Sequence, residues 1–367
     1  MLREDLRERA LLPVLMMQDG LVATAAQWPR RRQELLNVLQ ENIYGYTPPP
    51  PDTVYGQIGE ENSAFLADKA IFRRINLRFT TPNGGFSFPF SLVLPKSEQP
   101  VPLILHIAFR PDLPDRYMPA EEIIDQGFGL AYFYYMDVSP DSLDGDYSRG
   151  LGACFRKGEQ RDPAAWGRIG HWAYAASRVM DYLQTLPEVD HRYVSVAGHS
   201  RLGKTALWCG AQDKRFFCSI SNDSGFAGAA VAKGGRGEKI SDFIRAGSWD
   251  WFCERFKTYL GQEDDLPYDQ HLLLACIAPR RICVGSAQKD IGADPKSEFL
   301  SCLAASESYH LLGLQGLVTP DQYPEPGTRL HEGEIGYHLR TGTHFFSRTD
   351  WLAYMAYLKK HMNQAPV

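Results

Sequence analysis

Between Trp28 and Ile43 the apolar residues Leu35, Leu36, Val38, Leu39 and Ile43 recur at helical spacing, with basic side chains on the other side. This predicts an amphipathic helix, stopped by Gly45 and the proline run Pro48 to Pro51. Residues 1–60 read as a helical lead-in packed on a main domain of residues 61–367. From about residue 70 the pattern changes to alternation over 72–79 and 86–94, with the turn Pro82-Asn83-Gly84-Gly85 between them. Continuous apolar runs over 101–109 and 129–136 predict buried strands. A helical pattern over 166–186 is followed by a short strand at 193–197, a helix from Leu202, short apolar runs at 216–220 and 281–286, and a last helix over 349–361. Antiparallel strands that give way to alternating strand and helix predict an α/β three-layer sandwich: a mostly parallel central sheet, helices on both faces and an antiparallel N-terminal edge.

Composition narrows the function. The chain has 367 residues, 44% hydrophobic and 23% charged, and a net charge of −5. It has no basic field to hold nucleic acid or anionic lipid, and no apolar run long enough to span a bilayer. The start, Met1-Leu2-Arg3-Glu4-Asp5, lacks the apolar core of a secretory signal, which points to a cytoplasmic protein. Seven cysteines are scattered in apolar surroundings without a CxxC pair or a Cys/His spacing that suits zinc; they read as buried reduced thiols. No metal or organic cofactor is implied.

The chemistry concentrates in Gly198-His199-Ser200-Arg201-Leu202-Gly203-Lys204-Thr205. A buried strand runs into Gly198 and a helical pattern follows, the strand–turn–helix setting of a nucleophile elbow. The glycine before the serine permits a tight turn that exposes Oγ at the carboxyl edge of the sheet, and the N–H of Arg201 falls at a helix N-terminus, where it is placed to bind an oxyanion. The second glycine sits one place later than in G-x-S-x-G. The same residues also satisfy G-x-x-x-x-G-K-T, a phosphate-binding loop in which Lys204 would hold phosphates and Thr205 a magnesium ion. The bulky interior His-Ser-Arg-Leu and the late arrival of the motif, after several strands, count against that nucleotide-hydrolase reading.

The segment resembles the G-C-S-R-x-G-K elbow of the glucuronoyl esterase group of carbohydrate esterases, whose bacterial relatives are often labelled acetylxylan esterases. Ser221-Asn222-Asp223-Ser224-Gly225 is similar to the family's S-x-[ED]-S-G stretch, Trp251-Phe252 to its W-F motif, and Leu266 to His271 with Ile277-Ala278-Pro279-Arg280 to L-P-x-D-x-H and I-A-P-R. Asp290 to Phe299 and Gly336 to Trp351 extend the likeness. The resemblance implies an α/β-hydrolase fold and a serine esterase that acts on a carbohydrate ester.

In this fold the order along the chain is nucleophile, acid, histidine. The late histidines are His331, His338, His344 and His361. His344 precedes the final helix and matches the family's catalytic position, whereas His338 reads as a packed or substrate-lining residue. Asp290 follows the strand at 281–286, where an ordinary hydrolase of this fold carries its acid; Asp223 matches the acid of the fungal enzymes. Asp290 is preferred for the triad, with Asp223 as a second carboxylate sharing the task. Asp294, before Pro295, reads as a turn residue. The resemblance further implies that Arg201 charges the oxyanion site and that Lys204 contacts sugar hydroxyls or a uronate oxygen.

Two departures fall in substrate recognition. The family's tryptophan beside the late aspartate is replaced by Asp290-Ile291-Gly292-Ala293, and its glutamate ahead of the W-F motif by Gly247-Ser248-Trp249-Asp250. The reading is therefore a Ser200–His344–Asp290 ester hydrolase for a small or oligosaccharide uronic acid ester, with an acetylated sugar as the alternative. A catalytically silent, sugar-binding hydrolase fold is a further rival, which requires misplaced triad atoms.

Overall fold

The strands alternate their side chains between two different cores. On Val101–Ala108, Leu103, Leu105 and Ile107 enter one apolar cluster, while Ile104 and Ala108 enter another on the opposite face. A strand buried on both faces needs helices on both sides, and this is the arrangement found. The computed structural model describes residues 2–156, 158 and 160–362.

Ten strands form one sheet in the order β1-β2-β3-β5-β4-β6-β7-β8-β10-β9. They are β1 (Val54–Ala64), β2 (Ala70–Thr81), β3 (Gly84–Pro95), β4 (Val101–Ala108), β5 (Gly129–Tyr134), β6 (Val189–His199), β7 (Cys218–Asn222), β8 (Arg281–Ala287), β9 (Arg329–Leu330) and β10 (Ile335–Arg340). β5, β4, β6, β7, β8 and β10 run parallel; β1 to β3 form an antiparallel ribbon joined antiparallel to β5. The expected mixed sheet with an antiparallel N-terminal edge is thus present. The sheet starts at Val54, so the expected boundary between residues 60 and 61 falls inside a strand. β1 (VYGQIGEENSA) escaped notice because it is an edge strand, exposed along most of its length and without an apolar face.

Among the described residues the α-helices of eight or more residues are α1 (Leu2–Arg9), α2 (Trp28–Leu39), α3 (Arg168–Leu183), α4 (Arg201–Gln212), α5 (Pro295–Leu311) and α6 (Arg348–Met362). α2 continues into a wider turn over Gln40–Tyr44, which accounts for the helical pattern reaching Ile43. α2 through α5 pack on one face of the sheet, and α6 with the short helix Ala120–Asp125 covers the other. The sequence pattern did not reveal α5, because its buried side includes Ser297, Glu298, Ser301, Ser306 and Ser308 beside its apolar residues. All seven cysteines are free, six of them buried. Among the described residues, no helix is long and apolar enough to cross a membrane.

Candidate active site

Four neighbouring parallel strands, β6, β7, β8 and β10, end on one rim, and Ser200, Asp223, Asp290 and His344 follow them in that order. Ser200 sits at φ 56°, ψ −127°, a backbone state that non-glycine residues seldom adopt. The turn is held by Ser200 N–H donating to the Asn222 carbonyl at 2.9 Å and by Gly203 N–H donating to the Ser200 carbonyl at 2.9 Å. A Cβ at Gly198 would lie 2.0 Å from the Leu202 carbonyl oxygen, so the elbow closes only with glycine there. At Gly203 a Cβ would press on Ser224 Cβ at 3.0 Å and Ser221 Oγ at 3.1 Å. The second glycine therefore serves the packing of α4 on β7, which explains its displaced position in the motif.

His344 Nδ1 lies 2.6 Å from Asp290 Oδ2. The carboxylate accepts that N–H, so Nε2 keeps its lone pair. Asp290 is 8% exposed, whereas the His344 side chain is 46% exposed and faces solvent. The His344 ring rests against His199, the neighbour of Ser200, with centroids 4.5 Å apart. Ser200 Oγ makes no hydrogen bond among the described residues, and its open side is half-buried. His199 was not singled out from sequence. Its Nδ1 pairs with Asn222 Oδ1 at 2.7 Å, and burial, with His344 adding to it, pushes it down to about 3. A neutral ring therefore backs the exposed imidazole.

Asp223 follows a different course. It turns inward at φ 43°; its Oδ1 accepts Ala287 N–H at 2.7 Å and its Oδ2 faces Arg340 at 3.1 Å. Burial, reinforced by nearby Glu298, raises it well above the usual carboxylate range. Of the two candidate acids, only Asp290 is hydrogen-bonded to His344. Glu298, at the base of the site and unnoticed in the sequence, accepts the N–H groups of Ser224 and Gly225 at 2.8 and 2.9 Å and the Ser286 hydroxyl at 2.5 Å. Burial pushes it up to about 7.

That shift has a measurable consequence. A carboxyl raised from 4.5 to about 7 on folding contributes stability below the unfolded value and loses it as pH rises through the folded one. Glu298→Gln keeps the shape and the acceptor oxygen but cannot ionise. Relative to wild type, it is expected to gain about 3 kcal/mol of stability between pH 4 and pH 8. Urea unfolding of both proteins across that range checks it; parallel stability profiles would refute it.

Arg201 opens α4 directly after Ser200, its side chain 29% exposed. It pairs with Asp141 and lies 4.3 Å over the Trp251 ring, whose Nε1 donates to the other Asp141 oxygen at 2.7 Å. Asp141, in a loop after β5, had no sequence signal. Lys204 corrects one expectation: its ammonium is buried, donating to the Ser224 carbonyl at 2.5 Å and pairing with Glu238 at 3.1 Å, so it braces the turn after β7 instead of meeting a sugar. His338 corrects another. It lies under α6, 3% exposed, with Nε2 2.9 Å from Asp350, and lines no substrate surface. Asp294 caps α5 by accepting Ser297 N–H at 3.1 Å. The nucleotide-loop reading also fails: besides the buried Lys204, the Thr205 hydroxyl is bonded back to the Arg201 carbonyl at 2.9 Å, which leaves neither group for phosphate or magnesium.

A serine thrust from a strand–helix elbow, with a His–Asp pair on the same rim of a mainly parallel sheet, defines a serine esterase of the α/β-hydrolase fold. The comparisons with known proteins narrow the class. The model of the family described as glucuronyl esterase, fungi, matches residues 78–313. A carbohydrate esterase of an unknown prokaryotic organism is 33% identical over 95% of this chain and 89% of its own. The 4-O-methyl-glucuronoyl methylesterase of Schizophyllum commune is 27% identical over 80% of this chain and 71% of its own. Among solved structures, the glucuronoyl esterase of Solibacter usitatus superposes with a TM-score of 0.88 at 32% identity, over 95% of this chain and 97% of its own. A promiscuous esterase of family 15 from a marine bacterial metagenome gives 0.87 at 33% identity, over 96% and 97%. The chain belongs to the glucuronoyl esterases of carbohydrate esterase family 15.

Proposed function

We propose that this protein hydrolyses esters of uronic acid sugars through an acyl-enzyme on Ser200. The observation that supports the reading is the rim itself: the strained serine elbow and the hydrogen-bonded His344–Asp290 pair follow the ends of neighbouring parallel strands, with Arg201, held by Asp141 and Trp251, next to the serine. Ser200 Oγ attacks the ester carbonyl while His344 Nε2 takes its proton and returns it to the departing alcohol. Asp290 holds the imidazole in its tautomer and stabilises the cation formed on it. The Arg201 N–H and guanidinium receive the oxyanion, with the helix dipole of α4 behind them. Water then repeats the sequence and releases the uronic acid.

The clamp of Asp141 and Trp251 is what makes Arg201 useful, because a preorganised charge costs no reorganisation as the oxyanion develops. Arg201→Gln is expected to lower kcat by about 10²–10³-fold with a smaller change in KM. Steady-state kinetics on one ester substrate checks it, and a loss confined to KM would reassign the residue to ground-state binding.

The names of the relatives support the uronate ester. The two departures noted in the sequence set its breadth: Ile291, beside Asp290, is 77% exposed and offers no stacking ring, and Asp250 is fully buried on Arg168 at 2.8 Å and presents no carboxylate to a sugar. Fewer fixed contacts to sugar hydroxyls favour loose discrimination, so acetylated sugars are the second substrate class. The test compares benzyl glucuronate with an acetylated xyloside. A higher kcat/KM on the glucuronate is expected; the reverse order would move the assignment to acetyl esters, and turnover of neither would overturn it.

A further inference from the structure

The sheet face under α6 carries a group of side chains able to ligate a metal, none of which takes part in the reaction described above. Cys283 on β8, His338 on β10 and His331 in the turn between β9 and β10 each bring one ligand atom to within 4.8 Å of the others. All three are buried, at 0%, 3% and 9% exposure. His338 Nδ1 and His331 Nε2 have no hydrogen-bond partner among the described residues. Buried polar atoms are almost always partnered, so two orphan imidazole nitrogens beside one thiol require an explanation.

The tautomer of His338 sharpens the case. Its Nε2 lies 2.9 Å from Asp350 Oδ1, and a carboxylate accepts only. Nε2 therefore carries the hydrogen and Nδ1 keeps a lone pair, the carboxylate–histidine arrangement that supports metal-bound imidazoles. Two glycines leave the room. Gly285, paired with His338, would place a Cβ 2.5 Å from His338 Cε1, and Gly336, paired with Cys283, would place one 3.0 Å from Cys283 Sγ. The three ligands come from distant stretches of chain, so no compact spacing betrays them in the sequence.

We propose that Cys283, His331 and His338 form a structural metal site for a d¹⁰ ion, Zn²⁺ or Cu⁺. One sulfur and two imidazoles suit these borderline-to-soft ions; Ca²⁺ and Mg²⁺ demand oxygen ligands. Zn–N and Zn–S bonds of about 2.0–2.3 Å put ligand atoms roughly 3.3–3.5 Å apart around a tetrahedral ion, so atoms now within 4.8 Å of one another need to approach by no more than about 1.5 Å. Binding releases the Cys283 proton to solvent. The ion ties β8, β10 and the β9–β10 turn together. Through His338 it bears on Asp350, which also holds Arg340 at 2.7 Å, and Arg340 bonds the Thr343 and Phe345 carbonyls on either side of His344.

The test begins with elemental analysis of the untagged full chain after equilibration with Zn²⁺ and, anaerobically, with Cu⁺, followed by gel filtration. One retained equivalent is expected, and which ion is retained decides between the two. Co²⁺ added to metal-free protein is expected to give a thiolate charge-transfer band with tetrahedral d–d intensity. Cys283→Ala and His331→Gln are both expected to lose the equivalent, and chelation is expected to lower the Tm of wild type but of neither variant. No retained ion and no band in the unmutated chain would overturn the site, as would an ion or band that survives in a folded Cys283→Ala protein. Should that variant fail to fold, the wild-type Co²⁺ spectrum and His331→Gln still decide. None of these readouts depends on ester hydrolysis.

Discussion

Replacing Ser200 by alanine is expected to lower kcat/KM on an ester substrate by about 10⁵–10⁶-fold. The fold should survive, because the elbow is built by Gly198, by hydrogen bonds of the Ser200 backbone and by the packing of α4, none of which uses Oγ. Alanine inherits the same positive φ, so the strain is unchanged and the Tm should move little. Fluorophosphonate labelling gives the direct readout: wild type should react stoichiometrically and the alanine variant not at all. Equal labelling of both, or of neither, would remove the acyl-enzyme. Residual activity in the variant should match what the oxyanion site supplies without a nucleophile.

Asp290→Asn is expected to lower kcat by about 10⁴-fold, because an amide facing His344 Nδ1 stabilises the wrong tautomer and no longer balances the imidazolium. Asp223→Asn separates the two acids. Its carboxyl touches Ala287 N–H and Arg340, not His344. An asparagine oxygen can still accept Ala287 N–H, and Arg340 keeps Asp350, so the exchange is expected to change stability by no more than about 1–2 kcal/mol, while the folded enzyme keeps kcat within about tenfold of wild type. Kinetics and urea unfolding of the two variants, side by side, check the division. A kcat loss in Asp223→Asn that equals that of Asp290→Asn would show that the carboxylates act together.

The legibility of the molecule followed physical lines. Strands buried on both faces announce themselves as apolar runs, so β4, β5, β6, β7 and β8 were all visible, and so was the switch from antiparallel to parallel pairing. The elbow was readable because tight turns constrain residue type. What stayed hidden depends on distance or on mixed burial: β1 has no apolar face, α5 buries serines and a glutamate, and Asp141 reaches Arg201 only across 60 residues of chain. Lys204 and His338 turn away from a substrate for one reason. A polar residue beside a motif suggests contact with a ligand, but whether it faces solvent or the interior is set by the helix and strand that carry it. Lys204 and His338 are turned inward, and their polar atoms meet Ser224, Glu238 and Asp350 instead.

The two ends of the ten-stranded sheet close it in different ways. β9 offers only two residues, too few to template another strand. β1 is long, but its ladder with β2 slips between Ile58 and Glu60, and Glu60 and Glu61 stand exposed with Arg73 paired to Glu61 at 2.8 Å. A kinked, charged margin refuses a flat, apolar neighbour. The same polarity that concealed β1 in the hydrophobic pattern thus guards a broad sheet against fibrillar stacking, and it makes Glu60 and Glu61 poor sites for apolar substitution when the protein is concentrated or engineered.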